Sequence, residues 1–140
     1  MKRIEVQSIW EKIVDLGFSD YNKLNRAQRV WLNIEPLTTS GLLDHYINYG
    51  ADKNSDTIAD LEYLNFHSVA NQLRAFNQKY FPNGVPLGPD ARQKQFDKYP
   101  ENQLEKDMDE INTQFWDICN QLENALHEHI NQSIHLISVL

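Results

Sequence analysis

The sequence predicts an all-α protein, a single-domain helical bundle of about six to seven helices around a long C-terminal helix. Two observations predict this fold. Apolar residues recur three or four positions apart along most of the chain, and no segment shows the period of two that is typical of a half-buried strand. The length of 140 residues is also usual for one domain, so residues 1–140 are expected to fold as one unit.

Capping and stop signals place the first two helices. The first helix carries an apolar stripe and stops at Gly17, a residue type that favours helix C-termini. The second begins at Asn25, because Gln28 three residues later completes the spacing of a capping box. Pro36 is predicted to end this helix, since proline lacks the N–H that a helix interior uses.

Two more short helices are predicted in the next part of the chain. Thr39 or Ser40 caps a third helix, which Gly50 closes. Ser55 or Asp56 starts a fourth helix with its own apolar stripe. These helices are too short to be stable alone, so their stripes must be buried against other elements.

A fifth helix and a loop follow. The fifth helix starts after a break near Asn65 and reaches Tyr80. Residues 82–89 hold three of the five prolines and two of the five glycines, so this segment is predicted to be a loop. Asp90 caps a short sixth helix that ends near Pro100.

The last predicted helix is the longest. Asn102 and Glu105 have the spacing of a capping box at its start. Apolar residues then alternate steps of four and three, which indicates an amphipathic helix with one buried seam. The seam residues are Leu104, Met108, Ile111, Phe115, Ile118, Leu122, Ala125 and His129.

The net charge is distributed unevenly along the chain. Thirteen Lys+Arg and 20 Asp+Glu give a formal charge of −7. Residues 1–100 sum to zero, whereas residues 101–140 hold eight acidic residues and one cation, Lys106. Direct binding of nucleic acid is not expected, because phosphate contacts need an excess of cations. The acidic run is either a solvated helix face or a surface that meets a cationic partner.

Composition and motifs exclude several other classes of protein. No apolar run could span a membrane and no signal-peptide core is present, so a cytoplasmic protein without membrane association is expected. The single cysteine, Cys119, fits a reducing compartment. No phosphate loop, serine nucleophile elbow or metal-ligand spacing occurs, so no cofactor, metal or catalytic residue is expected. Cys119 and His129 are expected in the core.

Three blocks of sequence, taken in their order and spacing, carry a family resemblance. The first block contains Gln28-Arg29-Val30-Trp31, Gly41, Tyr46 and Asn48; the second contains Leu64-Asn65-Phe66, Ala75, Phe81-Pro82-Asn83-Gly84-Val85-Pro86 and Arg92; the third contains Ile111-Asn112 and Phe115-Trp116. Over about residues 24–120 the chain therefore resembles a bacterial family of DNA-mimic proteins. It departs from the family at Thr39-Ser40-Gly41-Leu42, where an Asn-Gly-Gly-aromatic turn is usual, and at Pro36, where an acidic residue is usual.

The resemblance implies an all-helical bundle whose surface carboxylates imitate DNA phosphates. In the family's best-known members those carboxylates occupy a DNA-binding protein, often with the mimic as a homodimer. This chain could resemble a sparse double row of phosphates, because carboxylates four residues apart on a helix are about 6 Å apart along its axis.

We therefore expect a non-enzymatic, acidic interaction protein whose partner is a basic protein such as a DNA-binding regulator. Two alternatives remain open at this point: an immunity protein or antitoxin that neutralises a basic partner, and an enzyme with an unrecognised site. The expected partner-binding residues on the last helix are Glu101, Glu105, Asp107, Asp109, Glu110 and Asp117. Asp52, Asp56 and Asp60, also four residues apart, are expected to extend this patch.

Overall fold

The computed structural model describes residues 3–140, with side chains from Val6 onward, and this part of the chain is 83% helical without a strand. The helices are α1 (Arg3–Ser19), α2 (Arg26–Ile47), α3 (Asn54–Tyr63), α4 (His67–Tyr80), α5 (Pro89–Phe96), α6 (Glu101–Gln132) and α7 (Ile134–Ile137). Two 3-10 turns, Tyr21–Lys23 and Tyr49–Lys53, lie on either side of α2. The all-α prediction is confirmed. Within the described residues, no helix combines the length and apolar character needed to cross a bilayer.

The long helix α6 packs along α2, and it also contacts α4 and α7. Its seam is buried as predicted at Phe115, Leu122 and His129. The other predicted seam residues are half-buried, and near the end of the helix Leu126 is fully buried while the neighbouring Ala125 is not. The steps of four and three therefore locate the contact side of this helix correctly, with a shift of one residue near its end.

The capping box at the start of α2 is confirmed. The Asn25 side chain accepts a hydrogen bond from the Gln28 N–H, and the Gln28 side chain accepts one from the Asn25 N–H, both at 2.9 Å. The same two side chains donate to the carbonyls of Leu136 and Ile137, at 2.9 and 3.1 Å. The cap thus also attaches the C-terminal turn to the core, where Ile137 is fully buried.

Pro36 does not end the second helix, and neither Thr39 nor Ser40 caps a new one. Instead α2 continues through Pro36. Ile34 and Leu37 on either side of it are buried, whereas Pro36 itself is exposed. Burying each of those side chains contributes about 1.5–3 kcal/mol, which offsets the cost of about 3 kcal/mol for an interior proline.

The break in α2 lies at Gly41. Its φ of 82° and ψ of 178° belong to a region that essentially only glycine adopts. After the break, the N–H of Leu42 donates to Oδ1 of Asn112 on α6, at 3.2 Å. A Cβ at position 41 would lie 2.9 Å from the ring of Trp116. Helix α6 therefore caps the second segment of α2, and Trp116 fills the space beside the glycine.

Four other boundaries differ from the predictions. Helix α3 begins at Asn54 with Lys53 at the cap position and no side-chain cap, so neither Ser55 nor Asp56 caps it. Helix α1 continues past Gly17 to Ser19, and α2 ends at Ile47, so that Gly50 lies in the second 3-10 turn. Helix α5 begins with Pro89 at its first position rather than with Asp90 as a cap, because the fixed φ of proline suits the first helical turn. The loop before α5 and the break at Asn65, whose φ is 68°, are confirmed.

The capping box predicted at Asn102 and Glu105 does not form. Helix α6 begins one residue earlier, at Glu101, with Pro100 at the cap position and no side-chain cap. Proline already has the φ that leads into a helix, at −58° here, so the chain enters α6 directly after it. The carboxylate of Glu101 in the first turn then lies at the positive end of the helix dipole.

Candidate functional site

Five of the nine predicted carboxylates lie together on the outer side of α6. They are exposed, and none of them takes part in an ion pair or a side-chain hydrogen bond with the residues whose side chains the structure describes. We call them the acidic face: Glu101, Glu105, Asp109, Glu110 and Asp117. At 1.5 Å per residue they span about 24 Å along the helix, or about one carboxylate every 6 Å.

Asp107 lies on the same helix but faces α4. Its Oδ2 accepts hydrogen bonds from Lys79 Nζ at 2.6 Å and from the Tyr80 hydroxyl at 2.5 Å. These two hydrogen bonds hold the pKa of Asp107 below its ordinary value. The pKa of Tyr80 is raised to about 12, mainly because burial desolvates its hydroxyl and in part because of the Asp107 carboxylate. Asp107 therefore attaches α6 to α4 and is not part of the acidic face.

Asp52 is bound to a buried arginine. Arg92 on α5 is fully buried, and its donors reach one carboxylate and three carbonyls. These acceptors are Asp52 Oδ1 at 2.6 Å, Tyr46 O at 2.8 Å, Pro86 O at 2.9 Å and Asn48 O. The pKa of Asp52 is lowered overall. Partial burial alone would raise it, but the hydrogen bonds from Arg92 and from the Gly88 N–H outweigh that effect. We call this group the Arg92 cluster.

Asp56 and Asp60 also make contacts inside the protein. The Tyr21 hydroxyl donates to Asp56 at 2.8 Å, and Asn33 Nδ2 donates to Asp60 at 3.0 Å. Asp60 is only 5% exposed, and desolvation raises its pKa. The prediction that Asp60 extends the acidic surface is therefore wrong, because α3 turns this carboxylate toward α2.

The sequence-based site omits two carboxylates that the structure exposes farther along α6, Glu123 and Glu128. Glu123 lies near the half-buried Glu35 of α2. The pKa of Glu35 is raised, first by desolvation and also by the Glu123 charge, while a hydrogen bond from Trp31 and the His127 charge oppose the rise. The steps of four and three indicate that Glu123 is exposed, but its proximity to Glu35 depends on how α2 packs on α6.

Trp116 lies beside the acidic face. It is 47% exposed, although one edge of its ring packs against Gly41. Its ring also meets that of Phe115 edge-on, with centroids 5.6 Å apart. Trp116 is thus both a packing contact with α2 and a large apolar group at the surface, next to carboxylates.

The expectations for Cys119 and His129 are confirmed. His129 is buried, its Nε2 is 3.1 Å from the Ala27 carbonyl, and its ring meets Tyr63 edge-on. Cys119 is also buried, with Sγ 3.5 Å from the Thr38 carbonyl. Desolvation raises the pKa of the thiol, so it is less reactive than an exposed cysteine.

A groove of about 650 Å³ runs between α1, α2 and the second 3-10 turn. Aromatic and aliphatic side chains form most of its lining: Trp10, Val14, Phe18, Tyr21, Leu32, Leu37 and Tyr49. Asp44, His45 and Lys53 are among its polar residues. Sequence analysis missed this groove, because residues from three separate segments form it and no single segment carries a motif.

One comparison with known proteins assigns the family. A family model described as DMP19-like protein, where DMP19 is DNA mimic protein 19, matches residues 22–133, which is most of the chain. The chain belongs to the DMP19-like family. No curated protein and no solved structure matches it significantly.

Membership in the DMP19-like family confirms the resemblance seen in the sequence. Several residues that carry that resemblance have structural roles here. Tyr46, Asn48 and Arg92 meet in the Arg92 cluster, while Gly41 and Asn112 form the capped break in α2. These residues therefore determine how the helices pack, and the surface carboxylates are a separate feature of the chain.

Proposed function

We propose that this protein acts without catalysis, by placing the acidic face of α6 against the basic surface of a DNA-binding protein. The observation that carries the proposal is a row of five exposed carboxylates, without intramolecular partners among the described side chains, in a member of the DMP19-like family. Carboxylates that repel one another on one helix do not stabilise the fold, and solubility does not require them to lie on a single helix. A binding role explains that concentration of charge.

The spacing of the carboxylates supports imitation of DNA in part. Duplex DNA carries one charge per about 1.7 Å of axis, whereas the acidic face has one per about 6 Å. The exposed Glu123 and Glu128 lengthen the row without making it denser. A homodimer that aligns two copies of α6 would bring the charge density closer to that of DNA, and we include it in the proposal.

The groove does not lead us to propose an enzyme. Its carboxylates already have partners, since Asn48 donates to Asp44 and Arg92 donates to Asp52. Its histidine is bonded into the core through Nε2. None of these groups is arranged as a nucleophile with an adjacent base, which is the arrangement that covalent catalysis needs.

The test is a pull-down from the native host, followed by charge reversal. Glu105→Lys, Asp109→Lys and Glu110→Lys together change the formal charge from −7 to −1. A control triple variant, Glu11→Lys, Asp15→Lys and Asp97→Lys, makes the same change at exposed positions outside α6. We expect the first variant to slow association with the captured protein at least about tenfold, and the control to retain most of the rate.

Salt and DNA then separate the candidate functions. Binding through the acidic face should weaken steeply as the Debye length falls below about 8–10 Å. Duplex DNA should displace the protein from a partner whose DNA site it occupies. A captured partner with no affinity for DNA would favour an immunity protein or antitoxin instead, and equal rates for the two triple variants would refute the acidic face as the interface.

A further inference from the structure

His45 is a buried side chain at the boundary of the groove. It is only 5% exposed, and it is part of the groove lining. Its Nε2 is 2.9 Å from Nδ2 of Asn54. Among the described residues no group is hydrogen-bonded to its Nδ1. Every fully enclosed side-chain nitrogen or oxygen in that part of the chain does have a partner, so Nδ1 is not fully enclosed and retains access to the groove.

The surrounding hydrogen bonds determine which nitrogen carries the proton. The Tyr46 hydroxyl donates to Asn77 Oδ1 at 2.6 Å, and Asn77 Nδ2 donates to Asn54 Oδ1 at 2.7 Å. This orientation leaves Nδ2 of Asn54 to donate to His45, so Nε2 is the acceptor. In a neutral imidazole the proton is then on Nδ1. Burial and the Arg92 charge lower the pKa of His45 to about 4, which keeps the ring neutral.

Gly50 keeps this donor open. A Cβ built on Gly50 would lie 3.0 Å from Nδ1 of His45, so any larger residue would cover the nitrogen. The backbone of Gly50 does not have a positive φ, so its conformation does not require glycine. The absent side chain instead leaves space for another group to approach Nδ1.

The charges at the groove favour an uncharged ligand. Arg92 neutralises Asp52, so that the described lining residues leave one carboxylate, Asp44, and one ammonium group, Lys53. The ammonium group of Lys53 is 4.2 Å from the centroid of the Tyr21 ring, at the same groove. These opposite charges sum to zero, so neither an anion nor a cation is attracted overall, while the aromatic and aliphatic lining favours an apolar molecule.

We propose that the groove binds a small, uncharged, largely aromatic molecule, one oxygen of which accepts a hydrogen bond from Nδ1 of His45. The volume of about 650 Å³ is within the range of about 300–1,000 Å³ that small-molecule sites occupy. The donor is recessed, so a compact ligand can reach it while most of that ligand is covered. This site is independent of the acidic face on α6.

Two fluorescent probes test the site on the isolated protein. One is 6-propionyl-2-dimethylaminonaphthalene, which has a ketone, and the other is 2-dimethylaminonaphthalene, the same molecule without it. We expect the ketone probe to bind one per chain and tighter than its analogue. His45→Gln retains an acceptor for Asn54 but places its amide donor at a different position from Nδ1, so it should weaken the ketone probe about three- to tenfold and leave the analogue unchanged.

Three further variants complete the test. Gly50→Ala covers Nδ1 without changing the ring and should give the same selective loss as His45→Gln. Val14→Trp fills the groove and should weaken both probes. His127→Gln removes an exposed histidine outside the groove and should change neither. Circular dichroism and thermal unfolding of each variant identify any that lose the fold.

Several outcomes would overturn the proposal. Absence of saturable binding, or binding that folded Val14→Trp does not weaken, would show that the groove is not the site. Equal affinity of the two probes, unaltered by His45→Gln and Gly50→Ala, would refute the role of the donor. A dimer that Val14→Trp dissociates in sedimentation would show that a second copy of the chain fills the groove. None of these results depends on a partner of the acidic face.

Discussion

Asp52 and Glu105 are both carboxylates near the surface, yet the molecule uses them differently. In the Arg92 cluster each of the three nitrogens of a buried guanidinium donates to at least one acceptor, and Asp52 is one of those acceptors. On the acidic face, Glu105 and its neighbours have no intramolecular partner among the described side chains. The comparison indicates that charge stabilises the fold around Arg92, whereas on α6 it is kept free for contact with another molecule.

The largest expected effect comes from breaking the Arg92 cluster. Arg92→Met should lower the free energy of unfolding by about 3–5 kcal/mol, because it leaves Asp52 and three carbonyls without their donor. Urea unfolding measures the change. The control is Arg74→Met, which removes a partly exposed ion pair with Glu62 and should cost at most about 1 kcal/mol. Similar costs for both variants would contradict the comparison.

The next largest effect is a dependence of the free energy of unfolding on pH, caused by His45 beside the Arg92 cluster. The pKa of His45 is lowered from its ordinary value to about 4, so the unfolded chain binds a proton at higher pH than the folded protein does. This contribution to stability is present above about pH 6.5 and is lost as the pH falls toward 4, by about 3 kcal/mol in all. Chemical unfolding from pH 7.5 to 4 measures it.

The matched variant isolates this histidine. His45→Gln cannot take up the proton, so its stability should fall less steeply than that of the wild type over the same range. Asp60 and Glu35 have raised pKa values and change in the opposite sense, gaining stability as the pH falls, but they are present in both proteins. Parallel curves for the two proteins would show that folding leaves the pKa of His45 unchanged, which would contradict this prediction.

A smaller effect is expected at the break in α2, which lies against the helix that carries the acidic face. Gly41→Ala should lower the free energy of unfolding by about 1–3 kcal/mol, because alanine disfavours this backbone conformation and its Cβ would meet Trp116. Adding Trp116→Ala removes the collision but not the backbone strain. A double-mutant cycle should therefore show partial rescue, and strict additivity would place the two residues out of contact.

The smallest effect has the opposite sign. Glu105 is four residues from Glu101 and from Asp109, so it takes part in two repulsive pairs on the helix surface. Glu105→Gln should raise the free energy of unfolding by up to about 0.5 kcal/mol and weaken binding to a basic partner. Thermal unfolding and the pull-down measure the two changes. A loss of stability would show that Glu105 has an intramolecular role after all.

Patterns within one segment predicted the fold well. The apolar steps of four and three located α6 and its exposed carboxylates, and the pair Asn25 and Gln28 located the start of α2. Predictions failed where the outcome depends on another helix. Pro36 lies inside α2 because its neighbours are buried, and Asp60 is buried because Asn33 and α2 cover it.

The groove and the Arg92 cluster could not be predicted for the same reason. Arg92 binds carbonyl groups 40 or more residues earlier in the chain, at Tyr46 and Asn48, and backbone acceptors leave no trace in the sequence. The proton on His45 depends in turn on Asn54 and Asn77. Only a three-dimensional arrangement shows that these groups meet.

The break at Gly41 has a consequence for the order in which the protein forms during synthesis. The amide of Leu42 is capped by Asn112, 70 residues later in the chain. While the ribosome is still making residues 43–111, that end of the second segment of α2 has water as its only partner. The segment therefore completes its hydrogen bonding after α6 emerges, and the helix that carries the acidic face is also the one that completes α2.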